Sequence, residues 1–349
     1  MTRTAVVALV AFLAWGCAGC RCSRNPHAAA RPALPAIAAP SAGLPPSSGA
    51  EPADGTDPWP ELKWYGWIGD TSRSRPEPTD TVLHRFAHSL PGYGVFTAEP
   101  DSWSEWLRLL PLAAPGTPVR NFRGEIVVPG DDEHLAAVVA IDIGSENVQQ
   151  SADVILRLHA EWRWYVNDRR MLYLSDSKAE LPLARWFAGE RLTTTGAEPT
   201  WTRLAAPKPQ RDHADFRAYL DGVFTWSDGR ALLAESVPLA PEKLEPGAFF
   251  LHQGAPAEVL VVLDVATSPA GKRAMLLAQA LNPAENIHVL RPNRDSVWFP
   301  VRTDQPVRVL RAKPYAWQEL RRLNPLRSRP EVECIGSLCP QGPPPAPAK

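Results

Sequence analysis

The segment from Ala248 to Ala278 constrains this chain more than any other. Ala248-Phe249-Phe250-Leu251 and Val259-Leu260-Val261-Val262-Leu263 are apolar runs joined by Gly254-Ala255-Pro256, and Pro269-Ala270-Gly271-Lys272 leads into Ala274-Met275-Leu276-Leu277-Ala278. Short β-branched and aromatic runs punctuated by Gly/Pro turns predict an antiparallel meander. Helical spacing supplies one layer. Trp103, Trp106, Leu107 and Leu110 share a face behind Ser102 and Glu105, which have capping-box spacing. Val154, Ile155, Leu158, Trp162 and Tyr165 form a longer stripe, and Phe216, Tyr219, Leu220, Val223 and Phe224 a third. Leu135–Ile141 reads as a buried strand and Met171–Leu174 as a short one. Helices before a late meander predict an α+β domain with helices packed on an antiparallel sheet.

The five cysteines are confined to the ends: Cys17, Cys20 and Cys22 near the start, Cys334 and Cys339 near the finish. A body without thiols excludes a cysteine nucleophile, a zinc-cysteine site and an iron-sulfur cluster there. The 37 Lys+Arg against 38 Asp+Glu leave a net charge of -1, with no footprint for nucleic acid. Arg3 precedes an apolar run, Ala5–Trp15, that is too short to span a bilayer and has the length of a signal-peptide core. Ala18-Gly19-Cys20 resembles a bacterial lipoprotein lipobox, with Cys17 as the alternative acylation point and a plain secretory signal as the other reading. The expected organisation is a leader over 1–20, a Pro/Ala-rich tether over 21–80, a domain over 81–325 and a Pro-rich tail over 326–349. Cys334 and Cys339 are spaced for a small disulfide loop in an oxidising compartment. The expected location is the cell envelope, with the membrane as partner through the lipid and an envelope protein or peptidoglycan beyond it. No cofactor or metal is expected, since no P-loop, GxGxxG, EF-hand or HExxH spacing occurs. Asp131-Asp132-Glu133-His134 reads as a solvated turn before a cation site. Of the 13 tryptophans, Trp162, Trp164 and Trp186 read as core, and Trp59, Trp64 and Trp67 beside the tether as candidates for surface contact.

Six blocks resemble the bacterial DUF4846 family: Ser102–Leu112, Ala137–Trp162, Trp186–Leu192, Phe216–Phe224, Gly254–Ala266 and Leu276–Leu290. The family pattern places cysteine where this chain has Ser151, and Gly-His where it has Ala257-Glu258. A cysteine entering a helix and a histidine on an apolar strand is similar to papain-like amidases of the NlpC/P60 type. That resemblance implies a site at Ser151 and Glu258, oriented by Gln279, with Gln149 or Gln150 as oxyanion donors. With thiol and imidazole both replaced, it implies lost catalysis, because removing either member of such a unit costs on the order of a millionfold. A carboxylate in place of the imidazole is a poor base towards a serine hydroxyl at neutral pH. The alternative is an active amide hydrolase in which Ser151 uses His252. The plainer readings are Ser151 as a helix N-cap, Glu258 as a solvated strand end, Gln279 as a sheet hydrogen-bonder and His288 as a structural histidine.

Overall fold

The computed structural model describes residues 65–71, 73–203 and 209–324. Six α-helices occur among them: α1 Val82–Phe86, α2 Trp103–Arg108, α3 Asp153–Tyr165, α4 Leu183–Phe187, α5 His213–Trp226 and α6 Gly229–Ala234. The main sheet is antiparallel and nine-stranded. Its path uses β1 Leu135–Val138, β2 Ser236–Pro238, β3 Phe249–His252, β4 Glu258–Thr267, β5 Arg273–Gln279, β6 His288–Leu290 and β7 Leu320–Leu323, in the spatial order β2-β7-β3-β4-β5-β6-β1. Gly94–Val95 adds to β4 and Phe299–Pro300 to β5. The meander predicted from sequence is β3-β4-β5, and the architecture is α+β with the helices gathered on one face.

Strand alternation divides the sheet into two chemically separate faces. Ala257, Val259, Val261, Leu263, Leu276, Ala278 and Ala280 point towards the helices. Phe250, Leu260, Val262, Met275 and Leu277 point the other way, against a second core closed by Leu244, Tyr315 and Trp317. This outer layer has almost no regular structure, so helical and strand periodicities gave no sign of it. A register shift between Val262 and Asp264 rotates Asp264 onto the helix side. There its carboxylate accepts from Arg108 Nε of α2 at 3.0 Å.

The Leu135–Ile141 run is a strand only as far as Val138. Beyond it, Val139 and Ala140 donate to Ile287 and Pro111 carbonyls, which bends the chain off the sheet edge. Ser102 caps α2 by accepting from Glu105 N, while the Glu105 carboxylate reaches Asp101 N, one residue earlier than a capping box requires.

The last part of the segment read as tether is packed. Tyr65 and Trp67 are buried, in ring contact with Trp106, and Trp67 donates its indole N–H to Ala140 O at 2.9 Å. Trp67 is therefore core and not a surface aromatic; Trp59 and Trp64 lie outside the described residues. Gly66 lets this segment approach α3 and α5, since a Cβ there would sit 2.6 Å from His213 Cδ2 and 2.9 Å from the Trp164 ring. If Tyr65–Ile68 belongs to the cooperative fold, Trp67→Ala lowers the unfolding free energy by about 3–5 kcal/mol, read by denaturant titration.

Candidate functional site

The helix-to-sheet joint that the sequence singles out exists, but its side chains are arranged differently from the papain-like expectation. Ser151 is 0% exposed, and its Oγ accepts a hydrogen bond from the backbone N–H of Val259 at 2.9 Å. The hydroxyl thus fastens the entry of α3 to the start of β4. It does not cap the helix: Ala152 is the N-cap residue without a side-chain bond, and Asp153 Oδ2 accepts from Gln150 N at 2.9 Å. Ala257 fills the space beside this joint, where a Cβ at Gly229 would come within 2.6 Å of its methyl group. The joint is sealed by small residues.

Glu258 lies one residue from the Ser151 contact and points away from it. Since Ala257 and Val259 face the helices, the two-residue period sends Glu258 to the outer face with Leu260 and Val262. Gln279 lies on the same outer face, beside Leu277, and donates its amide to Leu310 O at 2.9 Å. His252 is also there, opposite Glu258 in the ladder and bonded through Nδ1 to Glu319 Oε1 at 2.8 Å. The structure therefore brings Glu258, Gln279 and His252 to one side of the sheet and leaves Ser151 on the other. Neither the degenerate triad nor a Ser151–His252 pair is assembled. His288 is fully buried, donates from Nδ1 to Asn286 O at 2.9 Å, and its pKa is lowered by burial, as a structural histidine.

The electrostatics at Ser151 also oppose nucleophilic chemistry. Asp153 is fully buried, and burial, with Asp228 and Asp176 nearby, pushes its pKa well above the usual carboxylate range. Burial raises Asp228 as well. Asp176 Oδ1 accepts from the backbone of Asp228 and Ala231 at 2.9 and 3.0 Å. None of these side chains is a cation that would lower the pKa of the Ser151 hydroxyl or hold an oxyanion. Of the two expected oxyanion donors, Gln150 Nε2 is committed to Asn147 O at 3.3 Å. Gln149 is buried with Oε1 accepting from Arg157 at 2.8 Å and Arg217 at 3.2 Å, and its Nε2 has no partner in the protein.

Sequence reasoning missed the charged cluster behind this joint. Asp142 accepts from Arg157 Nη2 at 2.7 Å and Arg217 Nε at 2.9 Å, and both guanidiniums are buried. Arg157 also binds Glu161 at 2.9 Å, whose carboxylate reaches His213 Nε2; His213 Nδ1 meets Asp70 at 2.9 Å. Burial alone would raise Asp142, yet Arg157 and Arg217 hold it far below the usual range. The available signal was the i,i+4 spacing of Arg157/Glu161 and Arg217/Asp221. It reads as a solvated helix face unless the helix is known to be buried all round. The Asp131–His134 turn binds itself, with His134 N on Asp132 Oδ1 at 2.8 Å, and its carbonyls accept from Arg291 and Arg294. Among the described residues no group of three or more acidic, His or Cys side chains could hold a metal ion.

Residues 82–322 match the family described as a domain of unknown function (4846), so the chain belongs to the DUF4846 family. No curated protein and no solved structure matches the chain.

The buried Asp153 carboxyl gives a pH signature. A folded pKa raised above the unfolded value near 3.8 leaves stability undiminished below that value. Stability then falls as the pH climbs towards the folded pKa. Asp153→Asn keeps an acceptor for Gln150 N and cannot ionise. The variant should melt above wild type at pH 7, with about 2–4 °C for each kcal/mol of penalty removed, and the difference should close by pH 4 in melting curves.

Proposed function

We propose that this DUF4846 chain is an exported, lipid-anchored envelope protein whose folded domain is a non-catalytic binding or scaffold module. The observation that carries the reading is the Ser151 hydroxyl, buried and committed to Val259 N at 2.9 Å. A nucleophile needs access to substrate and a base within reach. Ser151 has neither: the His252 imidazole and the Glu258 carboxylate face the opposite side of β4. A helix entering beside a strand start is shared with papain-like amidases, and that layout supports a remote architectural relation at the level of analogy. The amide-hydrolase alternative is not favoured by any contact at the joint.

The envelope assignment rests on Ala5–Trp15, on Ala18-Gly19-Cys20 and on the Pro/Ala-rich residues that follow. These, with Cys17, Cys334 and Cys339, lie outside the described residues. A lipid on Cys20 and a flexible spacer would hold the domain a short distance from a membrane surface. Among the described residues no helix is long and apolar enough to cross a membrane.

Two measurements check the reading. A fluorophosphonate probe and amide-hydrolysis assays on the purified chain should show no more reaction with wild type than with Ser151→Ala; turnover lost in the alanine variant overturns the non-catalytic assignment. The same substitution should cost about 1–3 kcal/mol of stability, because it strands a buried N–H. Radiolabelled palmitate supplied to expressing cells should enter the protein and be lost in Cys20→Ser, whereas label that survives assigns the anchor to Cys17.

A further inference from the structure

The outer face of the sheet, at the end where β4 begins and β5 finishes, carries polar groups that the fold does not match. His252 and Glu258 oppose each other across β3 and β4, so their side chains leave the same face as close neighbours. The imidazole is fixed: Nδ1 lies on Glu319 Oε1 at 2.8 Å, and the other oxygen of Glu319 accepts Ala316 N at 2.7 Å. Tyr315 packs edge-on to the His252 ring, with centroids 6.5 Å apart. It is 0% exposed, and its hydroxyl has no hydrogen-bond partner in the protein. Glu258 Oε2 is likewise shielded and unpartnered. Burial raises the Tyr315 phenol, and Glu258 and Glu319 are close enough to raise it further, so the hydroxyl stays neutral. Gln279 lies diagonally on the neighbouring strand, fully buried, with Oε1 unpartnered while its amide holds Leu310 O.

A buried unmatched polar group costs about 1–3 kcal/mol, and groups of this kind that persist together in a native fold call for an explanation. Here the unmatched atoms are mostly acceptors: a carboxylate oxygen, an amide oxygen and a phenol that can donate or accept. Two carboxylates face one imidazole, so the local field favours a cation. A complementary group brings several N–H donors and a positive charge in a small volume, which describes an ammonium and not an anion or an apolar chain.

We propose that Glu258, Tyr315 and Gln279, framed by the His252–Glu319 pair, form a binding site for an aliphatic ammonium group. Glu258 Oε2 supplies the charge partner, and the Tyr315 and Gln279 oxygens accept the remaining N–H bonds. The site gives the binding module of the preceding section a ligand class and rests on that reading. The two fail separately, since one is measured as reaction at Ser151 and the other as binding at Glu258.

The test is calorimetric titration of the full chain in detergent at pH 7. Nα-acetyl-lysine amide presents a side-chain ammonium, alanine amide presents a chain amino terminus, and acetyl-norleucine amide is the neutral control. Saturable binding of one of the two ammonium probes, absent for the control, is expected. Glu258→Gln should weaken it by at least about tenfold and Tyr315→Phe severalfold. Both variants should melt at or above the wild-type temperature, because Glu258→Gln removes an unmatched buried charge and Tyr315→Phe an unmatched buried hydroxyl. Four results overturn the proposal: no saturable binding of either probe, equal binding of the control, affinity unchanged in Glu258→Gln, or a Glu258→Gln chain that is destabilised or unfolded. Should Tyr315→Phe alone fail to fold, the nearly isosteric Glu258→Gln decides.

Discussion

Asp142 holds two arginines at once, and the helical layer is organised around that contact. Arg157 comes from α3 and Arg217 from α5, so one carboxylate fixes the distance and rotation between the two longest helices. Gln149 Oε1 accepts from both guanidiniums, and Glu161 passes the network on to His213 and Asp70. Desolvating so many charges is expensive, and such a network is weak evidence for net stability compared with an apolar core. It supplies direction instead. Hydrophobic contacts between α3, α5 and the sheet tolerate sliding, whereas a carboxylate shared by two guanidiniums accepts few geometries. Because Asp142 and Gln149 flank the loop that enters α3, the same network sets where Ser151 meets β4.

The meander and the long helices were legible because their signals are local. Val259–Leu263 and Ala274–Ala278 are bounded by Gly/Pro turns, and the 154/158/162 and 216/220/223 spacings need no tertiary information. Three things were not legible for the same reason. Residues 153–163 of α3 are all buried, so the Arg157/Glu161 stripe that reads as a wet face is an interior one. The outer layer around Tyr315 and Trp317 has little periodicity to detect. Trp67 follows a Pro/Ala-rich stretch, and its burial depends on a partner, Ala140 O, that is 73 residues away.

The candidate site shows the limit most sharply. The resemblance to papain-like amidases, and not the strand read at Val259–Leu263, is what set the entry of α3 against the start of β4. The phase of that strand decides what meets what, and a one-residue change exchanges every side chain between faces. Glu258 and Val259 are equally near Ser151 along the chain, yet only the backbone amide of Val259 touches it. Phase is fixed by the apolar alternation of the whole strand: Val259, Val261 and Leu263 against the helices, Leu260 and Val262 outward. That alternation assigns Glu258 outward from sequence alone, once both faces are known to be covered. A strand apolar at every position hides it.

Both sides of the sheet hold buried polar atoms without a partner, but of different kinds: on the helix side mainly N–H groups, Trp106 Nε1, Gln149 Nε2 and His159 Nε2, with Asp153 Oδ1, and on the outer side three oxygens. On the helix side, Arg157 and Arg217 are each given two or more acceptors, Asp264 is turned inward by a bulge to meet Arg108, and Ser151 answers a backbone amide. On the outer side, Glu258 Oε2, Tyr315 Oη and Gln279 Oε1 have no partner within the protein. Selection for stability alone would tend to replace such groups with apolar ones of similar shape, which can be neutral or stabilising. Local rules are most often broken where function requires it. The paired charges behind Ser151 belong to the architecture, and the unmatched oxygens across the sheet, gathered beside an unpaired carboxylate oxygen, are where the proposed ammonium site lies.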